Sequence, residues 1–482
     1  MRRWSWAWLP VAFFVMCAGW ALTSPPGSSP DDDFHLTSIW CAAGTQAGRC
    51  EEVPGQLLQR SVPAAVVNAE KCFAFDPAVS AGCVESIPDE MVATDRVNET
   101  AGLYPRLYYR TMAVFVGPDV ERSVLMMRLF NAALASLLLA LLIRVAPAGI
   151  RRATLLAVTV TFIPLGLFVV SSTNPSGWSL VGLTLYWAFA LSLMHRRDWR
   201  NRRTWLVAAA SVLTGLMAAG SRVDAAAFVV LASALVLVLA GPSRWRSAWP
   251  STAVVAAVTV YAGLSYLLQG TPAGESETMG TAARGAGLLL TNAVYLPVLF
   301  QQAVGGGALG WNDTILPPLV AVVGTLALGA IAYCGLSVMT RRKAVAASLS
   351  AVALVAIPLL FLQKEGLGVG EVVQPRYLLP LITLLIGVLC LGPRVGAPLV
   401  MNRTPALVLA VGLSATAVLA YWANAHRYFA GTDFGLFDPK IDPAWLSATG
   451  VPLWLTTLMT AAASVVFVSG VLVFVRPSAP RR

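Results

Sequence analysis

Residues 153–194 read ATLLAVTVTFIPLGLFVVSSTNPSGWSLVGLTLYWAFALSLM and run straight into His195-Arg196-Arg197. Two stretches of this segment, 153–171 and 178–194, contain no charged residue. A helix that crosses a bilayer needs ~20 mostly apolar residues, and both are close to that length. Between them stands only a Ser/Thr/Asn/Pro turn. Lipid offers no partner for a bare backbone N–H or C=O, so such runs fold as helices. The pair reads as a transmembrane helical hairpin that ends on a basic cluster.

The same pattern extends in both directions. Further apolar runs occupy 4–22, 123–145, 204–221, 225–241, 248–268, 315–339, 345–362, 377–392, 404–423 and 451–475. The fold class is therefore an all-α polytopic membrane protein with about twelve transmembrane helices. Composition points the same way: 57% of the 482 residues are hydrophobic and 12% charged, against roughly 25% charged in soluble domains. The mean hydropathy is +0.69. Two more apolar stretches, 103–118 and 286–303, are broken by polar or glycine residues, and the second reads as a re-entrant or interfacial helix.

The net charge of +10 does not indicate nucleic acid, because the basic residues form no single wet patch. Twenty of the 34 Lys and Arg fall in short segments between apolar runs: Arg2-Arg3, Arg144, Arg151-Arg152, Arg196 to Arg203, Arg244 and Arg246, Arg341-Arg342-Lys343, Arg394, Arg403, Arg476 and Arg481-Arg482. Of the 24 Asp and Glu, only Asp198 joins them. Excess Lys and Arg mark cytoplasmic loops. The expected protein is multi-pass in the plasma membrane, with both termini in the cytoplasm and every long loop outside. The start resembles a signal peptide, but its long apolar run without a small-x-small cleavage site favours an uncleaved anchor. The layout is then a first transmembrane helix (1–22), an extracytoplasmic loop domain (23–122), helices two to seven (123–268), a second outer loop (269–314) and helices eight to twelve (315–482). Inside loops are too short for a nucleotide-binding domain, and no Walker-type glycine–lysine loop occurs. Arginine far outnumbers lysine, which fits a GC-rich bacterial genome.

Of seven cysteines, Cys41, Cys50, Cys72 and Cys83 lie in the first outer loop. Four allow three pairings. Cys41–Cys50 and Cys72–Cys83 close the shortest loops, and an oxidising compartment permits them. Zinc is the rival, though no CxxC pair is present. The densest chemical signal is Pro30-Asp31-Asp32-Asp33-Phe34-His35. Adjacent carboxylates repel, so the cluster needs cations, a metal or water beside it. It also has an ordinary reading as a solvated turn that caps a helix.

The arrangement of a short first helix, a large outer loop opening on acidic residues and many later spans resembles the GT-C class of glycosyltransferases. The hexapeptide is similar to the Pro-Asp-Glu-x-x-His opening of a bacterial membrane-protein family related to that class; Pro30, Asp31 and His35 match, and Asp32 replaces Glu. Tyr104-Pro105-Arg106-Leu107-Tyr108-Tyr109 resembles the family's Tyr-ended segment before the second span. Ser172-Thr173-Asn174-Pro175 resembles its Asn-containing turn, and Gln374-Pro375-Arg376-Tyr377-Leu378-Leu379-Pro380 its Arg-Tyr-x-x-Pro segment. Arg106 departs from a proline the family tends to repeat.

The resemblance implies transfer of a sugar from a polyprenyl-phosphate donor to a cell-envelope acceptor at the outer face. Such chemistry needs a base for the acceptor hydroxyl, and Asp31 is expected to be that base. Asp32 is expected to orient the acceptor or, with Asp31, a divalent cation that would also neutralise phosphate. His35 is expected to orient Asp31 or bond the phosphate. The donor phosphate calls for guanidinium groups: Arg376 first, then Arg222 near Asp224, then Arg106, with Arg110, Arg128 and Arg427 behind. Tyr108, Tyr109, Tyr377 and Asn174 complete the expected substrate contacts. Arginines and tyrosines at the interface also serve simply as membrane anchors. Two other function classes fit the layout: a transporter or lipid flippase, and a non-catalytic envelope-assembly protein that docks through its disulfide-stapled loop.

Overall fold

The computed structural model describes residues 7–268, 285–393, 397–399, 401–432, 435–437 and 451–474. Arg2, Arg3, Arg394, Arg476, Arg481, Arg482 and the 269–284 part of the second outer loop lie outside these residues.

The α-helices of seven residues or more are α1 (Trp8–Leu22), α2 (Asp32–Cys41), α3 (Arg106–Met112), α4 (Val120–Val145) and α5 (Ala148–Val170). They continue with α6 (Ser176–Met194), α7 (Arg202–Ala219), α8 (Val223–Ala240), α9 (Trp249–Leu268) and α10 (Ala286–Gly306). The last five are α11 (Pro318–Leu336), α12 (Arg341–Glu365), α13 (Pro375–Leu389), α14 (Arg403–Ala430) and α15 (Leu453–Phe474). Ten of them are long and apolar enough to cross a membrane. Apolar α1 and α13 are shorter, at 15 residues each. The protein is an all-α polytopic membrane protein. The opening hairpin is its centre: the apolar windows of α5 and α6 are buried throughout. Small residues let these helices close up, as is usual where lipid gives no hydrophobic drive to packing. A Cβ on Gly182 of α6 would stand 2.9 Å from the Thr214 carbonyl oxygen of α7.

The bundle has two distinct ends. At one, basic side chains cap helix C-termini, where the backbone leaves carbonyls unpaired. Lys343 donates to Gly335 O (2.9 Å) and Leu391 O (2.7 Å), Arg342 to Ala240 O (2.9 Å) and Arg196 to Val145 O (2.6 Å). We call this the basic end. The other carries residues 23–119 and is the loop end. α1 and α15 run antiparallel, with Trp8 against Gly470 and Gly19 against Thr460. α10 is different. Gln363, near the loop end of α12, donates to Gly285 O (3.4 Å), and Asn292 bridges Leu367 O and Val369 N at 2.9 and 3.0 Å. At the far end of α10, Gly305 abuts Val320, at the start of α11. Both termini of α10 therefore meet the loop end, although the helix is long enough to cross.

The first long loop carries a small antiparallel sheet, β1 (Glu51–Val53), β2 (Gln56–Pro63) and β3 (Met91–Thr94), in the order β1-β2-β3. Val62 pairs with Val92 and Pro63 with Met91. Both expected disulfides, Cys41–Cys50 and Cys72–Cys83, are formed.

Candidate functional site

The turn between α1 and α2, Ser24 to Pro30, is rich in Pro, Gly and Ser, and Gly27 has φ +79°. Buried backbone carbonyls need partners, and side chains from distant elements supply them. Arg128 of α4 donates to Ser24 O and, at 3.0 Å, to Pro25 O. The Trp311 indole takes Gly27 O (2.8 Å), the Tyr428 hydroxyl Ser28 O (3.2 Å) and the Asn174 amide Pro30 O (3.0 Å). The acidic turn is thus anchored from four places before its carboxylates do anything.

Its three aspartates have three different environments. Asp31 adopts φ 60° immediately before α2, and its side chain is 37% exposed. Its Oδ2 accepts from Arg376 Nη2 at 2.7 Å. Asp32 is fully buried. Its carboxylate accepts from the Thr173 hydroxyl (2.6 Å) and Ser29 N (3.1 Å), with Arg128 at 3.5 Å. Burial pushes Asp32 up to about 6, against the pull of Arg128, Thr173 and Ser29. Asp33 pairs with Arg96, whose Nη2 lies 3.1 Å from Oδ1. His35 is buried and shares a hydrogen bond with the Tyr109 hydroxyl (2.9 Å). Burial, helped by Arg376, Arg222 and Arg96, holds its ring well below the usual histidine range, so the imidazole is neutral.

Across from Asp31 stand two guanidiniums over one ring. Arg222 lies 4.1 Å and Arg376 4.9 Å from the Tyr377 ring centroid, within cation–π range. Arg222 also lies 5.6 Å from the Tyr104 ring and forks onto Asp224 at 2.9 and 3.0 Å. Below Arg222 opens a cavity of about 400 Å³, walled mainly by Phe228, Pro358, Phe361, Val373 and Leu378. Phe361 is 42% exposed, which leaves this cavity open on the flank of the bundle. Its head is polar and its walls are apolar.

The structure therefore brings Asp31, Arg376, Arg222 and Tyr377 together, with His35 and Tyr109 behind them. It does not bring the remainder. Asp32, expected to face an acceptor or a cation, is sealed inside the turn. Asn174 and Tyr108 act as struts: the Asn174 Oδ1 also caps Ser176 N (2.9 Å), and Tyr108 is packed edge-on to Trp178. Arg106 lines a separate hollow. Arg427 is consumed by Asp313 (2.9 Å) and three backbone carbonyls. A divalent cation does not fit this donor set, since both Asp32 oxygens are taken and Asp31 already faces a guanidinium. Among the described residues the one group of three metal-type ligands is Cys41, Cys50 and Glu99, whose sulfurs are joined as a disulfide. Sequence reasoning did not find Trp311 or Tyr428, which hold the acidic turn from 284 and 400 positions away. They carry no motif.

Comparison with known proteins gives one match. The family of predicted membrane proteins named DUF2142 covers residues 13–385. The chain belongs to this family. The match takes in the acidic turn, both guanidiniums and α13 up to Leu385, and it shows a membrane protein family without naming a reaction. No curated protein and no solved structure matches the chain.

Proposed function

We propose that this DUF2142 member is a GT-C-type glycosyltransferase that takes a sugar from a polyprenyl-phosphate donor at the extracytoplasmic face. The observation that carries the reading is the juxtaposition of one half-open carboxylate, two arginines over a tyrosine and an apolar cavity that opens sideways from beneath them. A polyprenyl-phosphate sugar has that same division: an anionic phosphodiester head, which gains a second charge as the sugar leaves, and a long apolar tail. In this reading the loop end faces outside and the basic clusters face the cytoplasm, a direction supported by the excess of Lys and Arg in those clusters.

The step needs little from the protein beyond placement and charge. The acceptor hydroxyl gives its proton to Asp31, through the carboxylate oxygen that Arg376 does not hold. The acceptor oxygen forms a bond to the anomeric carbon, and the bond from that carbon to the phosphate oxygen breaks. The leaving polyprenyl phosphate keeps the electron pair, with Arg376 and Arg222 facing its charge. Asp32 serves as a positioning residue that fixes the turn. Neutral His35 holds Tyr109, and through it the floor of the site.

The testing experiment is transfer from a panel of labelled polyprenyl-phosphate sugars in membranes, comparing wild type with Asp31→Asn at matched expression. Loss of transfer in the variant is expected. Normal transfer by a well-expressed Asp31→Asn protein would overturn the assignment of the base.

A further inference from the structure

Arg106 and Arg110 lie one turn apart on α3 and are both exposed. They line one concave hollow of about 280 Å³, together with Ser38, Gly44, Glu99 and Tyr109. Residues 23–122 hold fourteen Asp and Glu against seven Lys and Arg, so acidic partners abound in this region. Arg96 has taken Asp33, and Arg60 has taken Glu99 at 3.5 Å. Yet among the described residues no carboxylate lies within 4.0 Å of Arg106 or Arg110. Like charges at this helical spacing repel, and here both border the same hollow. The single acid on its rim, Glu99, already has a partner.

The hollow is not remote from the transfer site. Tyr109 lines it, bonds His35 through its hydroxyl, and has its ring 6.2 Å from the ring of Tyr104. Tyr104 in turn lines the apolar cavity under Arg222. Ser38 follows Asp31 by seven residues along α2, which is about 10 Å at the helical rise. One short oligosaccharide can reach both.

We propose that this hollow is an acceptor subsite that recognises an oxyanion. A sugar phosphate or hexuronate unit sits on the planar, two-pronged guanidiniums of Arg106 and Arg110, while a hydroxyl of the same molecule reaches Asp31. The acceptor role rests on the transferase reading above; the anion site does not.

The test is equilibrium binding to the full-length protein in nanodiscs, with glucose 1-phosphate, glucuronate, inorganic phosphate and glucose as probes. The two anionic sugars should bind, weaken as salt rises and lose at least about tenfold in affinity in the Arg106→Gln/Arg110→Gln variant, as expected for lost charge-assisted hydrogen bonds. Arg106→Lys/Arg110→Lys should regain part of the binding, which separates charge from folding. Glucose should not bind, and Asp31→Asn should bind as wild type does. Equal affinity in wild type and the double Gln variant, or no binding of any anion, would sink the subsite. Inorganic phosphate binding as tightly as the anionic sugars would reduce the hollow to a bare anion site and overturn its acceptor role. In transfer assays the double Gln variant should raise KM for anionic acceptors at least about tenfold, with kcat nearly unchanged. Anion binding that survives alongside normal transfer by Asp31→Asn would remove the transferase reading and leave the anion site standing.

Discussion

Two arginine–aspartate pairs tie the loop end together, and they are built on opposite plans. Arg427–Asp313 is closed: the side chains are 1% and 3% exposed, and the guanidinium also holds the Val79, Phe73 and Asp76 carbonyls. Arg376–Asp31 is open: Asp31 is 37% exposed, the contact is made through one carboxylate oxygen, and an apolar cavity with Tyr377 on its wall lies alongside. A closed pair of this kind gives position. A buried charge without its partner is costly, so Arg427 and Asp313 must stay together. An open pair can trade partners, because water can replace either half and a ligand phosphate can replace the carboxylate on Arg376. The contrast separates scaffold from site without reference to any reaction.

Breaking the closed pair should give the largest effect. Arg427→Ala strands Asp313 in a sealed pocket and should lower stability by about 3–5 kcal/mol, seen as a large drop in unfolding temperature or in folded yield. Breaking the open pair should do the reverse. Asp31→Asn should leave thermal unfolding nearly unchanged and cut transfer by about 10²–10⁴-fold, the usual worth of a positioned base. If instead Asp31→Asn unfolds the protein and Arg427→Ala does not, the division between scaffold and site is wrong. Next in size, removing Cys72–Cys83, which closes a separation of 11 residues beside Phe73 and Tyr428, should cost about 3 kcal/mol. The Cys72→Ser/Cys83→Ser double variant, followed by thermal unfolding, measures it.

The smallest effect concerns pH. Asp32 stands at about 6 in the folded chain, above its ordinary 3.8. Between those values the folded state holds the proton and the unfolded chain does not. Stability should therefore fall as pH rises from about 4 to about 6, and this contribution should be flat above that. Asp32→Asn should lack the slope across that window. An identical slope in the variant would assign it to another group. Glu70, which burial pushes up to about 8, is the first to test, since its window runs higher.

The fold was legible because the membrane imposes a simple code. An uncharged run such as 178–194 has one stable outcome in lipid, and the basic residues that follow it mark an end. Even so, length and hydropathy alone make α10 a full crossing, whereas Gln363 and the Leu367–Val369 backbone hold it from the loop end. The site was legible in part. Arg376 and Asp31 stand 345 positions apart; the sequence singles out each by itself, one as a base and the other for phosphate, and nothing in it joins them as a pair. What could not be read was which of three consecutive aspartates faces outward. That depends on Thr173, Ser29 and Arg128 closing around Asp32, and on Arg96 reaching Asp33. Likewise no local pattern says that Arg427 is spent on Asp313 and three carbonyls, whereas Arg106 has no carboxylate within 4.0 Å among the described residues. The sequence names charges; the distances decide which of them are already neutralised.

Asp31 has φ 60°, a backbone state that Asn and Asp tolerate far better than alanine or branched residues. Position 31 therefore filters its own substitutions. An alanine scan there would add backbone strain to the loss of the carboxylate and overstate the part played by chemistry. Asparagine keeps the turn and removes only the charge. The same filter acts on inheritance: a relative that has lost this carboxylate but kept the fold should most readily carry Asn or Gly at this place, and such a chain would still assemble its whole scaffold around a silent centre.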